Sequence, residues 1–146
     1  MKHAIEEFIS CKRIAVVGLS RNGKKFGNAA FLELARRGYQ VFGVHPEAKE
    51  IAGARCVPTL GALKGSVDGV VISIKPPEVM NVLREAAAIG VKNVWVQKGA
   101  ESREAVALGE ELKLNLVTGK CVLMYAPPVG GFHGWHRSFN RLIGRL

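Results

Sequence analysis

The stretch Arg13–Pro46, RIAVVGLSRNGKKFGNAAFLELARRGYQVFGVHP, decides the fold. It reads as a buried strand, a Gly/Ser turn, a helix and a second buried strand, the opening βαβ unit of a nucleotide-binding sheet. Its departures from the dinucleotide-binding fingerprint carry the chemistry. The glycine pattern is incomplete, the turn holds the cations Arg21, Lys24 and Lys25, and the second strand ends in His45-Pro46. An NAD site would place an acidic residue near that strand end, to bind the ribose hydroxyls. Cations in the turn and no acid at His45-Pro46 point instead to a more highly phosphorylated nucleotide.

Working outward, the same rhythm repeats. Ala4–Ile9 opens an amphipathic helix, and Arg13–Val17 is apolar throughout, as a strand covered on both faces should be. A helix is expected over about 27–37 with Gly38 as its stop, followed by strands at Gln40–Val44 and Gly69–Ile74. Pro58–Leu63 reads as a short helical crossover. Pro76-Pro77 sets the first turn of a helix running Glu78–Ile89. A fourth strand is expected at Asn93–Gln97, a helix capped by Ser102 through Leu114, and a fifth strand at Leu116–Val117. Five strands alternating with helices predict an α/β domain with a doubly wound parallel sheet, and right-handed crossovers make 3-2-1-4-5 its simplest order.

A chain of 146 residues suits one domain with a core of its own. Its apolar runs are far too short to span a bilayer, so no membrane role is expected. Glu6 and Glu7 interrupt the apolar pattern of the first residues, as no secretory h-region would tolerate, so no secretory leader is expected. The cysteines, Cys11, Cys56 and Cys121, are odd in number and far apart, which fits a reducing cytoplasm and no structural zinc. The net charge of +9 favours an anionic partner.

In a doubly wound sheet the ligand lies at the carboxyl ends of the strands, where the order reverses beside the first. The candidate residues are therefore Gly18, Ser20, Arg21, Asn22, Lys24 and Lys25 after the first strand, and Val44, His45 and Pro46 at the second. Ile74, Lys75 and Pro76 follow the third, and Gln97 closes the fourth. Gly18 lets the backbone turn, and Ser20 is placed to offer its hydroxyl and N–H to a phosphate. The following helix aims its positive end at the same spot. Arginine at position 21 suits bidentate contact with a phosphate.

With these segments in hand, the chain resembles the CoA-binding domain family, Rossmann-like proteins similar to the N-terminal domain of the succinyl-CoA synthetase α subunit. The resemblance rests on VVGLSRNGKKFG (16–27), GYQVFGVHP (38–46), SIKPPEV (73–79), VWVQKGA (94–100) and GKCVLM (119–124). It implies coenzyme A as the ligand, with Gly18, Ser20 and Arg21 at its phosphates. Val44 and Pro46 would line the adenosine pocket, and Ile74, Lys75 and Pro76 its other wall. The resemblance covers roughly Phe8–Leu123, so a domain over residues 1–125 is expected, and the residues after it read as a basic amphipathic extension at 126–146.

The synthetase works through a phosphorylated histidine on a further domain and through a partner subunit, and neither fits within this length. None of His3, His45, His133 and His136 has an obvious Asp or Glu orienter nearby in sequence, and no nucleophile elbow or carboxylate pair presents itself. The expectation is a CoA or acyl-CoA binding protein that is not catalytic alone, regulatory or part of a complex. An NAD(P)-binding protein and an interaction module acting through its basic tail are the alternatives. In that tail Trp135, Phe139, Leu142 and Ile143 recur at helical spacing beside Arg137, Arg141 and Arg145. They read as a docking helix or a homodimer contact in preference to a nucleic-acid surface. His133 and His136 lack a third metal ligand in sequence.

Overall fold

The computed structural model describes residues 1–51 and 53–129. The predicted tail helix and the His133/His136 pair lie outside them. The helices are α1 (Lys2–Ile9), α2 (Phe26–Arg36), α3 (Pro76–Ala88) and α4 (Arg103–Glu111). The strands are β1 (Arg13–Val17), β2 (Gln40–Val44), β3 (Glu50–Ile51), β4 (Ala54–Val57), β5 (Gly69–Ile72), β6 (Asn93–Gln97) and β7 (Asn115–Lys120). Short 3-10 turns lie at Leu60–Leu63 and Val122–Met124. Ser102 caps α4 as expected, its hydroxyl accepting the Ala105 N–H at 3.1 Å. Among the described residues no helix is long and apolar enough to cross a membrane.

The sheet is α/β and mostly parallel, as predicted, but it has seven strands in the order β3-β4-β2-β1-β5-β6-β7. The five-stranded sheet in the order 3-2-1-4-5 is corrected in one respect. The strand expected third, now β5, pairs with β1 on the side away from β2. The place beside β2 belongs to β4, which runs parallel to it and pairs antiparallel with β3. A four-residue strand with the charged Arg55 inside it gives little apolar pattern to read. The reversal point stays where it was expected, at β1, because β2 lies on one side of it and β5 on the other.

The alternation of side chains along β1 builds two cores. Ile14 and Val16 face α1 and α2, joining Phe8, Leu34, Val71 and Trp95. Ala15 faces the opposite layer, where Val70, Ile72, Val94 and Val96 meet Leu60, Val79, Leu83 and Ala105. Trp95 is fully buried at the centre of the first core. Its ring meets Phe8 edge-on with centroids 5.3 Å apart, and Tyr125 lies tilted against it at 5.8 Å. The indole N–H donates to the Lys120 carbonyl at 2.9 Å, so burying the ring strands no donor.

Two arginines tie distant segments together. Arg13 clamps Asp68 through Nη2 at 2.7 Å and Nε at 3.2 Å, joining the start of β1 to the residue before β5. Arg37, just past α2, donates from Nη1 to the carbonyls of Leu123 (2.8 Å) and Ala126 (2.6 Å). Its Nε donates to Glu33 at 2.9 Å, and the Val129 N–H returns to the Arg37 carbonyl at 2.6 Å. The chain after β7 is thereby held against the end of α2. Hydrogen bonds from Arg36 and Arg37 hold the Glu33 carboxyl down at about 2, against an ordinary 4.5.

Replacing Arg37 by Ala leaves two carbonyls without their charged donor and should lower the unfolding free energy by about 1–3 kcal/mol in urea titration. An unchanged midpoint would count against this anchor. The depressed Glu33 carboxyl has a pH signature. Its stabilisation is complete above about 4.5 and is lost as the pH falls toward about 2. Urea midpoints from pH 6 down to pH 2.5 should therefore decline less steeply in Glu33→Gln than in the parent chain.

Candidate functional site

The turn leaving β1 is built on a backbone approach that only glycine permits. Gly18 sits at φ +123°, and a Cβ there would lie 2.1 Å from the Ser73 carbonyl oxygen, just past β5. Gly27, in the first turn of α2, is as constrained, since its Cβ would lie 2.3 Å from the Gly18 carbonyl oxygen. These two glycines do the work of the tight-turn and close-packing glycines of a dinucleotide fingerprint, at a wider spacing. Gly23, the other glycine of the turn, has open space around its missing Cβ.

Asn28 then fixes the turn from beneath. It is buried, its Oδ1 accepts the Ser20 N–H at 3.0 Å, and its Nδ2 donates to the Ser20 carbonyl at 3.0 Å. The Ser20 N–H, expected to face a phosphate, is engaged inside the protein. The Ser20 hydroxyl lies 2.8 Å from Asn22 Oδ1 and 3.1 Å from Asn28 Oδ1. Asn22 Oδ1 also accepts the Lys24 N–H at 2.9 Å, closing a small turn that leads to Lys25 at the mouth of α2. Neither Gly27 nor Asn28 was singled out from the sequence. A small residue and an amide in the first helical turn were the available signal.

Above this turn opens a cleft of about 390 Å3, lined by Leu19, Ser20, Arg21, Asn22, Lys25, His45 and Glu47. It lies at the carboxyl ends of β1 and β2 and unites Ser20, Arg21, Asn22, Lys25 and His45. The start of α2 points into the same region, and Lys25 at its N-cap position makes no side-chain cap. His45 Nδ1 accepts the N–H groups of Glu47 (3.1 Å) and Ala48 (2.9 Å), so the imidazole N–H is carried on Nε2. The ring thus shapes the loop after β2. Glu47 is the residue missed here. Its carboxylate accepts from Arg21 at 3.1 Å across the cleft, and both side chains are largely exposed. A smaller apolar pocket of about 100 Å3 adjoins through Leu19, with Phe31, Leu32 and Ile51 among its walls.

The other expected residues fall outside this cleft. Lys24 is exposed beside it, Val44 is buried beneath it and Pro46 is exposed on the loop. Ile74 and Lys75 lie past β5 on the same sheet edge, and Pro76 opens α3 and lines a separate opening. Gln97 is buried, and its Oε1 accepts the Val122 N–H at 3.1 Å, tying the end of β6 to the closing 3-10 turn. Lys75 and Lys98 add exposed positive charge to the carboxyl edge.

Burial, reinforced by the charges of Asp68 and Glu7, pushes the Cys11 thiol up to about 11, and burial raises Cys56 as well. No group of His, Cys, Asp and Glu among the described residues is arranged to hold a metal.

The family model described as CoA binding domain matches residues 12–127. The chain is 26% identical over 122 residues to the uncharacterized protein YneT of Bacillus subtilis, covering 83% of this chain and 90% of that one. It is 26% identical over 129 residues to the α subunit of acetate–CoA ligase (ADP-forming) II of Pyrococcus furiosus. That match takes in 81% of this chain, which spans only 28% of the ligase subunit. Among solved structures, a conserved hypothetical protein from Pyrococcus furiosus superposes with a TM-score of 0.73 at 34% identity, covering 77% of this chain and 97% of that one. With a Rossmann-like sheet, an open cleft at its reversal point and a family match over most of its length, this chain belongs to the CoA binding domain family.

Proposed function

We propose that the chain binds CoA or acyl-CoA at the carboxyl edge of its sheet and that, as the isolated chain, it binds without turning the ligand over. The observation that carries this reading is the cleft at β1 and β2, where Arg21, Lys25 and the start of α2 converge. The diphosphate is assigned to the turn Ser20–Lys25 and the helix N-terminus, where the side chains of Arg21 and Lys25 and the positive end of α2 meet a dianion. The additional phosphate of CoA falls to Arg21 and Lys24. The adenosine is assigned to the loop after β2, with Val44, His45 and Pro46 on one side and Ile74 and Lys75 on the other, while Pro76, expected on that wall, lines the separate opening beside α3. A regulatory or carrier role in a larger assembly belongs to this proposal, as does a cytoplasmic setting. The ligase reaction is not carried over, because the chain spans about a quarter of that subunit.

Glu47 gives a second reading its footing. An acid three residues past β2 is placed to accept ribose hydroxyls, as in NAD sites. Its pairing with Arg21 weighs the other way, since a phosphate would compete for the same guanidinium.

Calorimetry in modest salt should show CoA binding more tightly than NAD or NADP. Arg21→Ala should weaken CoA about tenfold or more, because a charge-assisted hydrogen bond contributes roughly 1.5–3 kcal/mol. Equal or tighter binding of NADP would sink the CoA reading, and an unaltered CoA affinity would remove Arg21 from the site. Glu47→Gln separates the two readings further. Removing a like charge about 4 Å from a phosphate relieves about 1 kcal/mol in water, so CoA should bind about fivefold more tightly. Were Glu47 a ribose acceptor instead, the same change would weaken NAD and leave CoA no tighter.

A further inference from the structure

A second opening lies further along the carboxyl edge, and the phosphate cleft makes no use of it. Its volume is about 220 Å3, with Pro76, Pro77 and Met80 of α3 on one wall and Ser102 and Glu104 at the start of α4 on the other. The lining is apolar apart from its rim. The Ser102 hydroxyl is turned to the Ala105 N–H, and the exposed Glu104 stands at the mouth. Met80 is half-buried and unbranched, a side chain that adapts to what lies against it.

Position gives this pocket its meaning. β5 neighbours β1 and β6 neighbours β5, while α3 follows β5 and α4 follows β6. The opening therefore sits about two strand spacings, roughly 10 Å, along the edge from the turn after β1. A pantetheine arm leaving a diphosphate at that turn has the length to cross this interval and deliver its sulfur there.

We infer that the opening between α3 and α4 is the subsite for the acyl end of a CoA thioester, and that it selects short, uncharged acyl chains. The inference rests on the CoA reading above. Prolines and a methionine offer contact to methylenes and no partner to a polar group. The Glu104 carboxylate at the mouth opposes acyl groups that end in a second carboxylate.

Calorimetry on the full chain with CoA, acetyl-CoA, butyryl-CoA and succinyl-CoA tests it. Each buried methylene should tighten binding about fourfold, so butyryl-CoA should exceed acetyl-CoA by about tenfold or more. Succinyl-CoA should bind no better than acetyl-CoA. Met80→Glu and Pro77→Glu each place a charge in the opening and should abolish the butyryl advantage while CoA itself changes less than about twofold. Pro77→Glu guards against misfolding, because an acid in the first turn of a helix is favourable. A butyryl affinity equal to acetyl, or an advantage surviving both substitutions, overturns the subsite while CoA binding stands. If CoA does not bind the parent chain at all, the underlying reading falls and the subsite with it.

Discussion

The rest of the molecule depends on how closely the backbone passes itself at Gly18. Its carbonyl lies under Gly27, and its missing Cβ makes room for the Ser73 carbonyl. A methyl group at either position would overlap main-chain atoms that have nowhere to go. β1, α2 and the end of β5 are therefore locked at separations shorter than ordinary packing allows. Asn28 completes the lock by bonding both main-chain polar groups of Ser20. The loop that carries Arg21, Asn22 and Lys25 is thus a loop on a rigid base, with its charges outward and its buried hydrogen bonds satisfied.

That base explains why a weakly patterned glycine loop supports a charged cleft. The cations are exposed and unsupported by buried partners, so their individual contributions in water are modest. Their effect comes from convergence with the start of α2, which the lock holds in place. Opposing them is Glu47, presented by a loop that His45 shapes through its own ring nitrogen. The cleft is therefore mixed in sign, with the Glu47 carboxylate paired to Arg21.

Much of the architecture was legible because burial on both faces writes itself plainly. Ile14–Val17 and Val70–Ile72 are unbroken apolar runs, and Gly38, Pro76-Pro77, Gly90 and Ser102 punctuate the helices at or near the observed ends. β3 and β4 were illegible because two and four residues carrying Glu50 and Arg55 owe their structure to pairing with β2 and each other. Missing β4 alone displaced β5 in the predicted order. At the site, Arg21, Lys25 and His45 followed from the strand-end rule, whereas Gly27 and Asn28 act through neighbours eight or nine residues away. Gln97 shows the limit of that rule. A residue at a strand end has two directions to face, and this one turns to Val122, inside the fold.

The β3–β4 hairpin has a consequence for how the sheet ends. Strands with unpaired edges recruit further strands, and a nucleotide cleft beside such an edge risks being covered by a neighbour. Among the described residues β3 contributes Glu50 and Ile51, the first of them exposed, and runs antiparallel to the strand it protects. An incoming strand finds almost no main-chain ladder to extend and a negative charge at its first rung. The sheet is sealed on the side nearest the cleft by a cap too short to be copied, and the mouth between β1 and β2 stays open to solvent.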